Sequence, residues 1–86
     1  MTYTLPTIHL NGTGATSLLD EYSEAMRALE NLRAAMASAT CNARDFYPQG
    51  DNAWSDARYE RAEVLAKISD IEDYLQAWLS HICDHV

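Results

Sequence analysis

Apolar residues recur at alternating intervals of four and three along two long segments of this 86-residue chain. In the first segment, residues 17–39, they are Leu18, Tyr22, Ala25, Leu29, Leu32, Met36 and Ala39. This heptad spacing places the side chains on one face of an α-helix. Leu19 and Met26 make the face wider than the seam of a two-stranded coiled coil requires, which favours a helical bundle.

The second segment, residues 52–84, follows the same alternation. Its regularly spaced positions are Trp54, Ala57, Arg61, Val64, Ile68, Ile71, Leu75, Trp78 and Ile82. Leu65 and Leu79 widen this face in turn. Arg61 is the only polar residue in the seam, and a charge there is costly unless a partner compensates it.

Turn-forming residues separate the two segments. Residues 40–51, TCNARDFYPQGD, contain Asn, Pro, Gly and Asp and are expected to form a loop. Residues 1–16 have an extended pattern interrupted by Pro6, and we interpret them as an arm, compatible with a short strand, that ends in a glycine loop. Ser17 is the predicted N-cap of the first helix, with Asp20 at the capping-box position.

The two predicted helices differ in length, about 35 Å for the first and about 48 Å for the second. The shorter helix cannot cover the whole of the longer one, so the apolar end of the second helix needs the folded-back arm or another subunit. The residues concerned are Ile71, Leu75, Trp78 and Ile82. We therefore predict an all-α single domain over residues 1–86, an antiparallel two-helix hairpin with an extended N-terminal arm that self-associates into a helical bundle.

Composition limits the classes of partner. Apolar residues make up 48% of the chain, which is enough for a packed core. The formal net charge is −7, and a protein that wraps long duplex DNA needs a basic surface. A small anionic ligand held by a local group of arginines remains compatible with this charge, and so does a basic protein partner.

No segment approaches the roughly 20 consecutive apolar residues of a transmembrane helix, and the first residues do not resemble a signal peptide. We therefore expect a cytoplasmic protein without a membrane partner. The two cysteines, Cys41 and Cys83, fall at opposite ends of the predicted hairpin. A disulfide needs Cα atoms within about 7 Å, so both are predicted to be free thiols.

The loop Asn11–Gly14 has two interpretations. It lacks the Lys-Ser/Thr pair of a P-loop and the preceding strand of a dinucleotide-binding fingerprint. In the first interpretation, backbone N–H groups of Asn11, Gly12 and Thr13 bind an anion at the helix N-terminus, with His9 nearby. In the second, the loop is only a turn with positive φ at Asn11 and Gly12, and His9 is a packing residue.

The basic residues number only six, and four of them are expected near the loop end of the hairpin. These four are Arg33, Arg44, Arg58 and Arg61, with Phe46, Tyr47 and Tyr59 interleaved. Guanidinium groups bind phosphates, and aromatic faces stack on bases. The alternative is a set of ordinary helix salt bridges, such as the Glu30–Arg33 pair.

The sequence contains little that indicates metal binding or catalysis. His81 and His85 in the segment HICDH are spaced i, i+4 and could hold a metal from one helical face. No further ligand group accompanies them, so a solvated helix end is favoured and no metal site is predicted. The sequence contains no arrangement of nucleophile, base and acid that supports catalysis. We expect a protein that is not an enzyme and needs no cofactor.

Two segments carry a family resemblance, TIHLNGTGATSLL at residues 7–19 and NARDFYPQGDNAW at residues 42–54. The chain resembles a group of small phage and prophage proteins that have an N-terminal His-Leu-Asn-Gly-Thr segment and a central Arg-Asp-Tyr-Tyr-Pro-like segment between two helices. The resemblance covers nearly the whole chain. Phe46 stands where the group has tyrosine, which keeps an aromatic residue in place.

By analogy, the wider class of small helical phage proteins includes oligomeric sponges that sequester nucleotide immune signals of CBASS or Thoeris defence. The resemblance therefore implies an anti-defence protein of the host bacterial cytoplasm that binds a cyclic oligonucleotide or an ADP-ribose-type molecule. The candidate ligand-binding residues are His9, Asn11, Gly12, Thr13, Arg44, Tyr47, Arg58 and Arg61. The glycine loop would come from one subunit, and the arginines and Tyr47 from the same subunit or from a neighbouring one. A protein-binding inhibitor of the anti-CRISPR kind, or an assembly accessory with an acidic helical surface, is the alternative.

Overall fold

The fold is a long two-helix hairpin, seen in a computed structural model that describes residues 2–9 and 11–86. Helix α1 spans Ala15–Ser38 and helix α2 spans Ala53–Cys83. The described residues contain no strand, which confirms the all-α prediction. The predicted arm includes Met1 and Leu10, and these two positions lie outside the described residues.

The helix ends are close to the predicted ones except at the start of α1. This helix begins at Ala15, two residues before the predicted position, and Gly14 occupies the N-cap with no side-chain hydrogen bond. The prediction that Ser17 is the N-cap is therefore wrong, because Ser17 already lies in the first turn. An uncapped first turn leaves N–H groups of the helix without an intrahelical partner.

The connection between the helices is more ordered than a plain loop. Two short 3₁₀ turns, Ala43–Asp45 and Tyr47–Gln49, follow each other before α2 begins. Gly50 ends the second turn with φ of 112°, the only positive φ among the described residues. A side chain would be strained at this angle, so glycine is required here. We call residues 40–58, the connection together with the first turns of α2, the tip of the hairpin.

The core follows the heptad seams. Leu29 of α1 packs with Ile68 and Leu75 of α2, and all three are buried. The partly buried side chains around them are Tyr22, Met26, Met36 and Leu65. Tyr22 also stacks on Trp78 with ring centroids 4.6 Å apart. Contacts between early residues of α1 and late residues of α2 establish that the helices run antiparallel.

The arm folds back along the C-terminal half of α2, which is one of the two predicted ways to cover that end. The ring of Tyr3 meets Tyr74 edge-on, with centroids 5.2 Å apart and planes at 89°. Further along, His81 Nε2 donates a hydrogen bond to the Pro6 carbonyl at 2.7 Å. Ile82, at the end of α2 beside the arm, is fully buried.

The hairpin is slender, with principal extents of 61 × 23 × 16 Å. Four hydrophobic residues are buried among the described positions: Leu29, Ile68, Leu75 and Ile82. Neither α1 nor α2 combines the length and apolarity of a membrane-spanning helix.

Candidate functional site

The glycine loop between the arm and α1 is folded around His9. The Gly12 N–H donates a hydrogen bond to the His9 carbonyl at 3.2 Å. The Asn11 N–H donates to Nδ1 of the same histidine, also at 3.2 Å. Two of the three backbone donors predicted for an anion are therefore already used inside the loop, and the N–H of Thr13 has no hydrogen-bond partner among the described residues.

Gly12 is needed for a close approach and not for a positive φ. A Cβ atom at this position would lie 2.9 Å from Nε2 and 3.1 Å from Cε1 of His9. Its φ is not positive, and neither is that of Asn11, so the positive φ expected in the second interpretation is wrong, although the residues do form a turn. The histidine ring lies directly over the backbone of Gly12, which gives the His-x-x-Gly spacing its physical reason.

Beside this loop lies an open cavity of about 550 Å³. Its lining joins the arm, the start of α1 and the end of α2, through Ile8, His9, Gly12, Gly14, Ala15 and His85. The N-terminus of α1 contributes the positive end of the helix dipole to this region. We call the group formed by His9, Asn11, Gly12, Thr13 and Gly14 the arm-end loop.

At the tip, an arginine and two aromatic rings form a stack. The Arg58 guanidinium carbon lies 5.5 Å from the centroid of the Trp54 ring, within the range of a cation–π contact. Phe46 packs on the same tryptophan with centroids 5.8 Å apart and planes at 32°. Trp54 was absent from the aromatic residues that the sequence singled out, although its i, i+4 spacing to Arg58 was visible there.

Two further candidates of the tip are open to solvent. Tyr47 is 77% exposed, and Arg44 is exposed as well. Among the described residues, no carboxylate lies within ion-pair distance of Arg44 or Arg58. The tip therefore presents two guanidinium groups without an ion-pair partner among the described residues, beside aromatic side chains and in a segment that also contains Asp45, Asp51 and Asp56. Guanidinium groups and aromatic rings are the groups that recognise phosphates and bases.

Arg61 has a structural partner. Its Nη2 donates to the carbonyl of Met36, and to the carbonyl of Ala39 at 3.2 Å. These carbonyls belong to the last turn of α1 and the residue after it, where helix acceptors lack intrahelical donors. This contact explains how a charged residue is tolerated in the seam of α2.

Arg33 is engaged in ion pairs along the hairpin. It lies 2.7 Å from Glu30 in its own helix, the pair expected from the sequence, and 3.1 Å from Glu72 in α2. The hydrogen bond from Arg33 lowers the pKa of the Glu72 carboxyl below its ordinary value, and Glu72 in turn raises the pKa of Arg33. Of the four arginines expected near the tip, Arg44 and Arg58 have neither a carboxylate nor a helix end as partner within the described part of the chain.

The arm-end loop and the tip lie at opposite ends of the molecule. The loop precedes α1 and the tip follows it, and α1 spans 24 residues, or about 36 Å. Residues of the two groups cannot contact one small molecule within a single chain. A shared site would need the arm-end loop of one copy and the tip of another.

The histidines and cysteines at the ends have simple environments. His85 Nδ1 donates to the carbonyl of His81 at 2.8 Å, while His81 is bonded to the arm. No group of three or more potential metal ligands occurs within residues 2–9 and 11–86. Cys41 and Cys83 are free, as the sequence predicted.

Comparisons with protein families, curated proteins and solved structures find no match to this chain.

Proposed function

We propose that this protein binds and withholds a small nucleotide-type anion, a cyclic oligonucleotide or an ADP-ribose derivative, without chemically changing it. One observation carries the proposal. In a chain of net charge −7, Arg44 and Arg58 lie at the tip without an ion-paired carboxylate among the described residues, beside the aromatic side chains of Phe46, Tyr47 and Trp54. Guanidinium groups would bind the phosphates, and the exposed ring of Tyr47 would stack on a base.

The arm-end loop supplies a second, weaker element of the proposed site. Its open N–H at Thr13 and the start of α1 favour a negative group, and the adjoining cavity of about 550 Å³ has the size of a small-ligand pocket. Because this loop lies at the far end of the chain from the tip, the proposal includes self-association. The ligand would lie between the tip of one copy and the arm-end loop of another.

The biological setting of the proposal follows from the resemblance described above. A protein of this kind, encoded by a phage and acting in the bacterial cytoplasm, would lower the concentration of a nucleotide alarm signal. Binding without turnover suffices for that task, since each bound molecule is removed from its receptor by mass action.

A second candidate function has its own observation. Leu32, Val64 and Ile71 are between 41% and 48% exposed on an otherwise acidic surface. Such side chains are suited to contact with a macromolecule, as in an inhibitor of a basic protein or an assembly factor. This candidate predicts a co-purifying protein, whereas the nucleotide proposal predicts a small molecule that is bound and later released intact.

Isothermal titration with cyclic dinucleotides and ADP-ribose derivatives tests the proposal. Arg44→Gln and Arg58→Gln should each weaken binding about ten- to a hundredfold, because each removes a charge-assisted contact of roughly 1.5–3 kcal/mol. Arg27→Gln is the matched control, since Arg27 pairs with Glu24 on the exposed side of α1. Absence of binding across the panel, or equal affinity of all three variants, would overturn the proposal.

A further inference from the structure

Three large apolar side chains lie exposed beside the groove between the helices. Leu32 is 48% exposed, Val64 41% and Ile71 48%, although all three occupy heptad positions. Val64 and Ile71 are seven residues apart and therefore share one face of α2. Residues at heptad positions are expected to lie in a helix contact, but in the single chain these three side chains remain exposed.

The ion pair between the helices shows that these residues share one flank of the groove. Arg33 and Glu72 follow Leu32 and Ile71 directly in sequence, and they pair with each other at 3.1 Å. One residue corresponds to a rotation of about 100° around a helix. Leu32 and Ile71 therefore both lie on the side of the groove opposite the ion pair. We call Leu32, Val64 and Ile71 the apolar flank.

Helix α1 extends the apolar flank with small residues. Exposed alanines continue the three- and four-residue spacing around Leu32, namely Ala25, Ala28, Ala35 and Ala39. None of these α1 positions carries a charge, whereas Glu63, Lys67 and Asp70 lie exposed beside Val64 and Ile71 on α2. Small side chains also let a neighbouring helix approach closely.

The apolar flank is centred on the long helix. Val64 lies eleven residues after the start of α2, and Ile71 lies twelve residues before its end. A two-fold axis through this centre would align two hairpins in opposite directions with each flank meeting its own copy. The tip of each copy would then lie beside the arm-end loop of the other.

We infer that a second copy of this chain packs antiparallel on the apolar flank and completes two equivalent sites, each from the tip of one copy and the arm-end loop of the other. The need for a partner agrees with the small core, in which four hydrophobic residues are buried among the described positions. The inference rests on the proposed function for the use of those sites. The pairing itself is tested without any nucleotide.

The two cysteines allow a direct measurement of orientation, because Cys41 lies at the tip and Cys83 at the end of α2. The Cys83→Ser variant keeps the thiol of Cys41 at the tip, and the Cys41→Ser variant keeps the thiol of Cys83 at the opposite end. A donor dye on the first variant and an acceptor on the second should show efficient energy transfer in the mixed dimer. Donor and acceptor both placed on the tip thiol should show weak transfer. The reverse pattern would indicate a parallel dimer and overturn the inference.

Light scattering tests whether the apolar flank forms the contact between two copies. Wild type and the control Ser69→Lys should have twice the chain mass of 9.7 kDa at micromolar concentration. Ser69 is exposed on the same helix, two residues from Ile71 and so on a different face. Ile71→Lys should raise the dissociation constant at least tenfold while circular dichroism retains the helical signal.

The outcomes separate this inference from the proposed function. A wild-type monomer at every concentration would leave the apolar flank to another protein and overturn the inference. If that monomer still bound a nucleotide through Arg44, the proposed function would stand alone. An antiparallel dimer that bound no nucleotide would support the interface and reject the proposed function.

Discussion

Arg61 joins the two helices near the tip by donating hydrogen bonds to the carbonyls of Met36 and Ala39. Removing the guanidinium leaves the partly buried carbonyl of Met36 and the exposed carbonyl of Ala39 without that donor. Arg61→Met keeps an apolar stem of similar length, so the loss is mainly of the charge-assisted hydrogen bonds. We expect the free energy of unfolding to fall by about 1.5–3 kcal/mol, measured by urea denaturation.

Arg27→Met is the matched control for Arg61→Met. Arg27 is exposed on α1 and pairs with Glu24 of the same helix. Its replacement should change the free energy of unfolding by no more than about 0.5 kcal/mol. Equal effects of the two substitutions would show that the Arg61 contact contributes nothing to stability.

Only part of the role of these single residues could be predicted from the sequence. The seam pattern identified Arg61 as a charge that needs a partner, but the partner depends on where α2 crosses the end of α1. The requirement for glycine at Gly12 likewise comes from the position of the His9 ring, which lies 2.9 Å from the place of a Cβ. Neither contact can be predicted from the spacing of residues along the chain, because both depend on tertiary geometry.

Between the helices, the pair of Arg33 and Glu72 makes stability depend on pH. Arg33 holds the pKa of the Glu72 carboxyl below its ordinary value of 4.5. The folded state therefore favours the ionised carboxylate. The contribution of the ion pair to stability is present at pH values above the ordinary pKa and is lost as the pH falls through the lowered pKa. We expect the melting temperature to fall on acidification below about 4.5, and to fall less in Glu72→Gln, as measured by circular dichroism.

Glu63→Gln serves as the control for this pH dependence, since Glu63 is exposed on α2 and pairs with no described cation. Its acid profile should match that of the wild type. Because the pair is partly exposed, added salt should also reduce the difference between Glu72→Gln and wild type. Identical profiles for wild type and Glu72→Gln would contradict a stabilising ion pair.

At the scale of whole elements, the helices were more predictable than the arm. The heptad seams place three of the four helix ends within one residue of the observed ones, because apolar periodicity reports which turns face a partner. The start of α1 differs by two residues, since local cap preference did not decide it. The path of the arm rests on contacts from Tyr3 to Tyr74 and from Pro6 to His81, and sequence patterns do not specify such distant pairs.

The whole molecule is a rod of 61 Å with a different chemistry at each end. One end carries the arm-end loop around His9, and the other carries Arg44 and the stack of Arg58 on Trp54. The sequence predicted which residues belong to each group. The predicted first helix of about 35 Å already separates the two groups, and the structure places a helix of 24 residues between them. This separation makes the oligomer a necessary part of a shared site.

The central claim is that the protein captures a nucleotide-type anion and keeps it intact, and a capture-and-release measurement tests it most directly. Purified protein is incubated with a mixture of cyclic dinucleotides and ADP-ribose derivatives, freed of unbound ligand by gel filtration and denatured by heat. Mass spectrometry of the supernatant should then recover one class of these molecules, unaltered and in stoichiometric amount. Arg44→Gln treated in parallel should return almost none. Recovery of no nucleotide from the wild type, or of a chemically converted product, would contradict the account.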